Sequence, residues 1–134
     1  MTIQEQIDRF LAAEAFGVAG ASTNPAKYGN KVLRCYLQHD RRAIPINPNE
    51  TVIEGVQCAT GIADLPAEVK SLSMITPPKV TEQLVPLAIA HGIENIWMQP
   101  GAESSTAVEL CRQHNINVIA DGSCLLVVLG YHDH

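Results

Sequence analysis

The chain has no apolar run near the ~18 consecutive residues that mark a membrane-spanning helix. Its first residues, Thr2-Ile3-Gln4-Glu5-Gln6-Ile7-Asp8, are polar and acidic, whereas a secretory signal needs a basic stretch followed by an apolar one. The expectation is a cytoplasmic protein with no membrane partner. Its four cysteines, Cys35, Cys58, Cys111 and Cys124, form no C-x-x-C pair, so neither a zinc site nor a thioredoxin-like motif is signalled. In a reducing compartment they are thiols. There is no repeat, low-complexity run or linker. Bases are outnumbered, nine Lys and Arg against fourteen Asp and Glu, and the net charge of −5 argues against nonspecific nucleic-acid binding. Nothing resembles a nucleophile elbow or a Ser-His-Asp set, and no catalytic residue is assigned. The protein is therefore expected to have no enzymatic activity of its own.

What remains is enough for a core. The 134 residues, 46% of them apolar and 17% charged, fit one domain spanning 1–134. Short β-type runs alternate with helical patterns. Ile3, Ile7, Phe10 and Leu11 share one face of an opening helix. Phe16 to Gly20 reads as the first strand, and Val32, Leu33, Tyr36 and Leu37 as a second helix ending near Asp40. Ala43 to Ile46 reads as the second strand, at an edge or near its own end because Pro45 lacks a ladder donor. Thr51 to Cys58 reads as an irregular excursion. Ser71 to Ile75 is the third strand. Thr76-Pro77-Pro78 opens a helix that Pro86 should kink and Gly92 should end. Asn95 to Met98, a helix from Glu103 to His114, and a strand from Asn117 to Ala120 follow. Leu125 to Leu129 fits either a buried helix or a strand. This order predicts an α/β fold: a Rossmann-like, doubly wound, mainly parallel five-stranded sheet with helices on both faces.

In such sheets ligands bind beyond the carboxyl ends of the strands, so function is sought in the residues that follow each one. After the first strand comes Gly20-Ala21-Ser22-Thr23-Asn24-Pro25-Ala26-Lys27, a glycine turn leading to a helix N-terminus suited to phosphate. The full G-x-G-x-x-G motif is absent. After the second comes Ile46-Asn47-Pro48-Asn49, where an NAD domain would place an acid. Thr76-Pro77-Pro78, Gln99-Pro100-Gly101-Ala102 and Asp121-Gly122-Ser123-Cys124 complete a rim with few ionisable groups, better suited to a flat ligand than to a catalytic centre. Lys27, Lys31, Arg34, Arg41 and Arg42 concentrate five bases against the single acid Asp40. That segment is either a solvated helix face or an anion site.

These residues resemble the small CoA-binding-domain proteins of bacteria and archaea and the CoA-binding domain of the succinyl-CoA synthetase α-subunit. The resemblance spans roughly Phe10 to Leu129. It rests on Val18 to Lys27, Ile46 to Asn49, Thr76-Pro77-Pro78, Gln99 to Ala102 and the cysteine after the last strand. It implies a Rossmann-like fold binding coenzyme A or an acyl-CoA. Gly20, Ala21, Ser22, Thr23, Asn24 and Lys27 would hold the phosphates. Asn47 and Pro48 would flank the adenosine. Thr76, Pro77, Pro78, Gln99, Pro100 and Gly101 would line the remaining groove, and Cys124 would lie near its far end. Two departures stand out. Glu50 falls where the synthetase has a nucleotide-binding lysine, so Lys27 or Arg42 would supply that charge. The synthetase's phosphohistidine domain has no counterpart, which argues against ligase activity.

His39, His91 and His114 fall at helix ends, where they suit the dipole and terminal carbonyls. His132-Asp133-His134 reads as a solvated tail rather than a metal site. Cys124 is either a small buried hydrophobe or a thiol able to form a disulfide with CoA. The leading expectation is a CoA-binding sensor or carrier, with an exposed edge strand that could pair in a homodimer. An NAD(H)-binding sensor domain and a CoA-binding component of an acyl-CoA ligase or transferase, acting with a separate partner, are the alternatives.

Overall fold

The structure, a computed structural model, describes residues 1–133. Helix α1 (Ile3–Leu11) starts with a capping box: the Thr2 hydroxyl accepts from the Glu5 N–H at 3.1 Å, and the Glu5 carboxylate accepts from the Thr2 N–H at 3.2 Å. There follow β1 (Ala15–Ala19), α2 (Tyr28–Gln38) and β2 (Arg42–Ile46). A small antiparallel hairpin, β3 (Val52–Ile53) and β4 (Val56–Gln57), and a 3-10 turn at Ile62–Asp64 lead to β5 (Val69–Met74). The chain closes with α3 (Pro78–His91), β6 (Asn95–Met98), α4 (Ser105–Gln113), β7 (Asn117–Ile119) and α5 (Leu125–Leu129).

The main sheet runs β2-β1-β5-β6-β7, with every neighbouring pair parallel. This is the expected Rossmann-like α/β sheet. Strand alternation divides its side chains into two cores. On one face Leu72, Met74, Ile96 and Met98 pack against Val85 and Ala88 of α3 and Ala107 and Cys111 of α4. On the other, Phe16, Val18, Trp97 and Ile119 pack against Phe10 of α1, Leu33 and Tyr36 of α2, and Leu125 of α5. Here Phe10 meets Trp97 edge-on at 5.3 Å, and Phe16 stacks on Tyr36 at 4.7 Å. Among the described residues no helix is long and apolar enough to cross a membrane.

Several local expectations are corrected. The first strand ends at Ala19 because Gly20 turns out of it with φ +92°. The excursion at Thr51 to Cys58 is an ordered hairpin, turned through Glu54 (φ 50°) and Gly55 (φ 77°). The fourth helix begins after Ser104, whose hydroxyl accepts from the Ala107 N–H at 3.2 Å. The ambiguous run at 125–129 is a helix, stopped by Gly130 in a left-handed conformation. Helix α3 includes Pro86 and ends, as expected, at left-handed Gly92. Pro45 does lie in an edge strand. The returning chain covers it: the Ala59 N–H donates to the Pro45 carbonyl at 2.9 Å, and the Asn47 N–H to the Ala59 carbonyl at 3.0 Å.

The C-terminal residues are exposed yet docked on α2, rather than simply solvated. Gln38 exchanges hydrogen bonds with the His132 backbone at 2.6 and 2.9 Å, and His39 Nε2 lies 2.9 Å from the Gly130 carbonyl. Of the triplet His132-Asp133-His134, the last lies outside the described residues. His39, His91 and His114 all sit at helix C-termini, as their spacing implied.

Candidate functional site

The chain passes from β1 to β2 on one side and then crosses to β5 on the other, so the carboxyl ends of β1 and β5 diverge. A cavity of about 880 Å³ opens there. One wall is the loop after β1 and the start of α2: Gly20, Ala21, Ser22, Thr23, Lys27, Tyr28 and Gly29. A second is the loop after β2, Asn47 to Glu50, with Thr60, Gly61 and Ile62. The third is Thr76 and one face of α3, formed by Val80, Leu84 and Leu87.

The first wall is backbone packed on backbone. A Cβ on Gly20 would lie 2.1 Å from the Ile75 carbonyl oxygen, and one on Gly29 would lie 2.0 Å from the Gly20 carbonyl oxygen. No side chain larger than hydrogen fits at either place. The loop between them is held from within and from behind. The Ser22 hydroxyl accepts from the Asn24 N–H at 3.1 Å, and the Asn24 side-chain oxygen accepts from the Ala26 N–H at 3.0 Å. Buried Asn30 donates to the Ser22 carbonyl at 2.8 Å and to the Glu54 carboxylate at 3.1 Å, and accepts from Arg34 Nε at 2.6 Å. Arg34 also donates to the Pro25 carbonyl at 2.7 Å. Asn24 thus serves the loop and does not line the cavity. Helix α2 begins here with no side-chain cap and no acid in its first turn. Its first N–H groups and the positive end of its dipole are thus left without an acidic or side-chain partner, with Lys27 beside them, an arrangement that favours negative charge.

The basic segment separates in space. Only Lys27 of its five bases lines the cavity. Arg41 donates to the Leu11 carbonyl at 2.6 Å. Arg42 starts β2, at the strand's opposite end, and pairs with Glu68 at 2.9 Å. It cannot supply the charge expected of it.

A smaller cavity of about 280 Å³ lies alongside, between Ile75, Thr76 and Pro77 and the Pro100-Gly101-Ala102 turn. Pro78, the first residue of α3, lines neither cavity. Neither do Gln99 and Cys124. Buried Gln99 accepts from the Tyr28 hydroxyl at 3.1 Å and from the Leu125 N–H at 2.9 Å, while its Nε2 has no partner among the described residues. Cys124 caps the start of α5 and hydrogen-bonds Tyr28 Oη, which places it behind the tyrosine. Burial, reinforced by that thiol, holds the Tyr28 phenol well above its ordinary range, so it stays neutral.

Tyr28, Gly29, Glu50 and the apolar face of α3 were not among the expected site residues. The expected residues follow strand ends, whereas these approach from helices and from the far end of a loop. The sequence did carry one signal, the Val80, Leu84, Leu87 spacing, but the same spacing also describes an ordinary core face. Among the described residues no cluster of three potential metal ligands occurs.

Comparison with known proteins places this geometry among relatives. Residues 14–129 match the family described as CoA binding domain. A conserved hypothetical protein from Pyrococcus furiosus superposes with a TM-score of 0.80 at 34% identity, covering 87% of this chain and 98% of that one. The α subunit of acetate–CoA ligase [ADP-forming] II from the same organism is 24% identical over 91 residues. That alignment takes in 67% of this chain but only 20% of the relative's length. The dinucleotide forming acetyl-coenzyme A synthetase 1 of Ca. Korarchaeum cryptofilum, solved with phosphate and ADP, shares the fold, with a TM-score of 0.77 at 21% identity over 87% of this chain and 27% of its own.

Proposed function

This chain belongs to the CoA binding domain family, and from that premise we propose that it binds coenzyme A or an acyl-CoA across the carboxyl ends of its strands, as a sensor or carrier without catalysis of its own. The observation that carries this is the pairing of unlike walls in one cavity. An uncapped helix N-terminus with Lys27 faces the apolar side of α3, formed by Val80, Leu84 and Leu87. Coenzyme A has the matching division, an anionic nucleotide diphosphate joined to a long, largely uncharged thiol arm. The diphosphate would lie on Gly20 to Lys27. The arm would run past Thr76 and Pro77 toward the smaller cavity at Pro100 and Gly101. Cys124 would come into reach only if Tyr28 moved. Among the described residues no histidine lines either cavity.

A second reading has one observation in its favour. The chain resembles a part of a ligase subunit, so it could serve as the CoA-holding component for a separate catalytic partner.

Calorimetric titration with CoA, dephospho-CoA, acetyl-CoA and NADH, with reductant present, tests the proposal. Saturable binding of CoA or acetyl-CoA is expected, weakened about fivefold in Lys27→Ala, the scale of one partly screened charge pair. NADH bound tenfold tighter than CoA would overturn it. Turnover of acetyl-CoA by the purified protein would overturn the non-catalytic part alone.

A further inference from the structure

Lys27 and Glu50 are the two charged side chains that line the main cavity, and they come from different loops. In sheets wound this way the loop after the second strand addresses the ribose of a nucleotide whose phosphates rest on the first loop. Asn47, the first polar residue of that loop, is already engaged. Its side-chain oxygen accepts from the Asn49 and Glu50 N–H groups at 2.8 and 3.1 Å, and its amide donates to the Ala21 carbonyl at 3.1 Å. Pro48 has no N–H to offer. The Glu50 carboxylate is exposed and makes no hydrogen bond or ion pair with any described residue. Its field nevertheless reaches its surroundings: the Cys58 thiol is pushed up, by burial first and by Glu50 second. Arg34, Arg41 and Arg42 do not pair with it, since they are hydrogen-bonded to Pro25, Leu11 and Glu68.

A carboxylate accepts hydrogen bonds and donates none. Free ribose hydroxyls offer it two donors, whereas the 3′-phosphorylated ribose of coenzyme A keeps one hydroxyl donor and sets further negative charge beside the carboxylate. We propose that Glu50 makes this cavity selective for a pantetheine-bearing nucleotide diphosphate with free ribose hydroxyls, and sets its affinity for dephospho-CoA above that for CoA. The inference rests on the reading that the diphosphate lies on the start of α2.

The test is a paired titration of dephospho-CoA and CoA against the unaltered protein, Glu50→Gln and Glu50→Lys. Glu50 is exposed, so both variants should keep the thermal midpoint of the parent. The unaltered protein is expected to bind dephospho-CoA about fivefold more tightly than CoA, a gap that narrows as salt is raised. Glu50→Gln should close the gap, and Glu50→Lys should reverse it. CoA binding at least as tightly as dephospho-CoA, with a ratio that neither variant moves, would overturn the selectivity and leave coenzyme A binding intact. If neither nucleotide bound the unaltered protein, the binding reading would fall and this inference with it.

Discussion

The loop after β1 and the loop after β6 read alike in sequence, each a glycine among small residues and proline, yet they are built by different means. At Gly20 and Gly29 the backbone of one segment rests on the carbonyl of another, with no space for a methyl group. Gly101 also has a positive φ, +96°, but nothing lies within 4 Å of the Cβ it lacks. There order comes from a side chain instead, with buried Gln99 linking Tyr28 to the Leu125 N–H. One glycine pair is required by contact and the other glycine by conformation alone.

The largest test of that contrast is Gly29→Ala beside Gly101→Ala. The first should cost about 3 kcal/mol, because an overpacked backbone contact has nowhere to relax. The second should cost about 1 kcal/mol, the strain of a side chain at positive φ. Denaturant midpoints measure both, and equal shifts would erase the distinction.

Next in size is Asn30→Ala, which leaves the Ser22 carbonyl, Arg34 and Glu54 each short of a partner. A loss of about 2 kcal/mol is expected, the scale of lost hydrogen bonds to charged groups. CoA affinity should fall as the loop loosens. Calorimetry showing unchanged affinity in a folded Asn30→Ala protein would mean that the loop holds its shape from within.

A pH test treats both sides alike. Burial pushes the thiols of Cys35 on α2 and Cys111 on α4 from 9.0 up to about 11. Raised folded values mean that the unfolded chain loses these protons first as pH rises. The stability they contribute is therefore intact below about pH 9 and lost between about pH 9 and 11. Urea melts across that interval should show stability falling, with a shallower fall in Cys35→Ala and in Cys111→Ala. A rise would contradict the sign of both shifts.

Much of the fold was legible because it depends on period and punctuation. The five main strands, the proline start of α3 and the glycine stop at Gly92 are local signals. The β3–β4 hairpin was not legible, because its turn places Glu54, rather than the usual Asn or Gly, at positive φ. Helix α5 was ambiguous because a short apolar run lacks a readable period, and Cys124 is no conventional cap. The glycine loop, Asn47, Pro48 and Thr76 reach the cavity as the motifs implied. Arg42 does not, because strand direction sends it to the other end of the sheet. Gln99 and Cys124 lie behind Tyr28, relations across 71 and 96 residues that no spacing rule carries.

The outermost strand has a further consequence. Pro45 has no N–H to give, and its carbonyl is already occupied by Ala59. At the opposite margin Gln6 Nε2 donates to the Val118 carbonyl at 3.0 Å. A strand arriving from another molecule would find neither border of the sheet an open template. Cross-β growth, the standing hazard of any sheet with free margins, is thereby opposed at both ends by a proline and a glutamine.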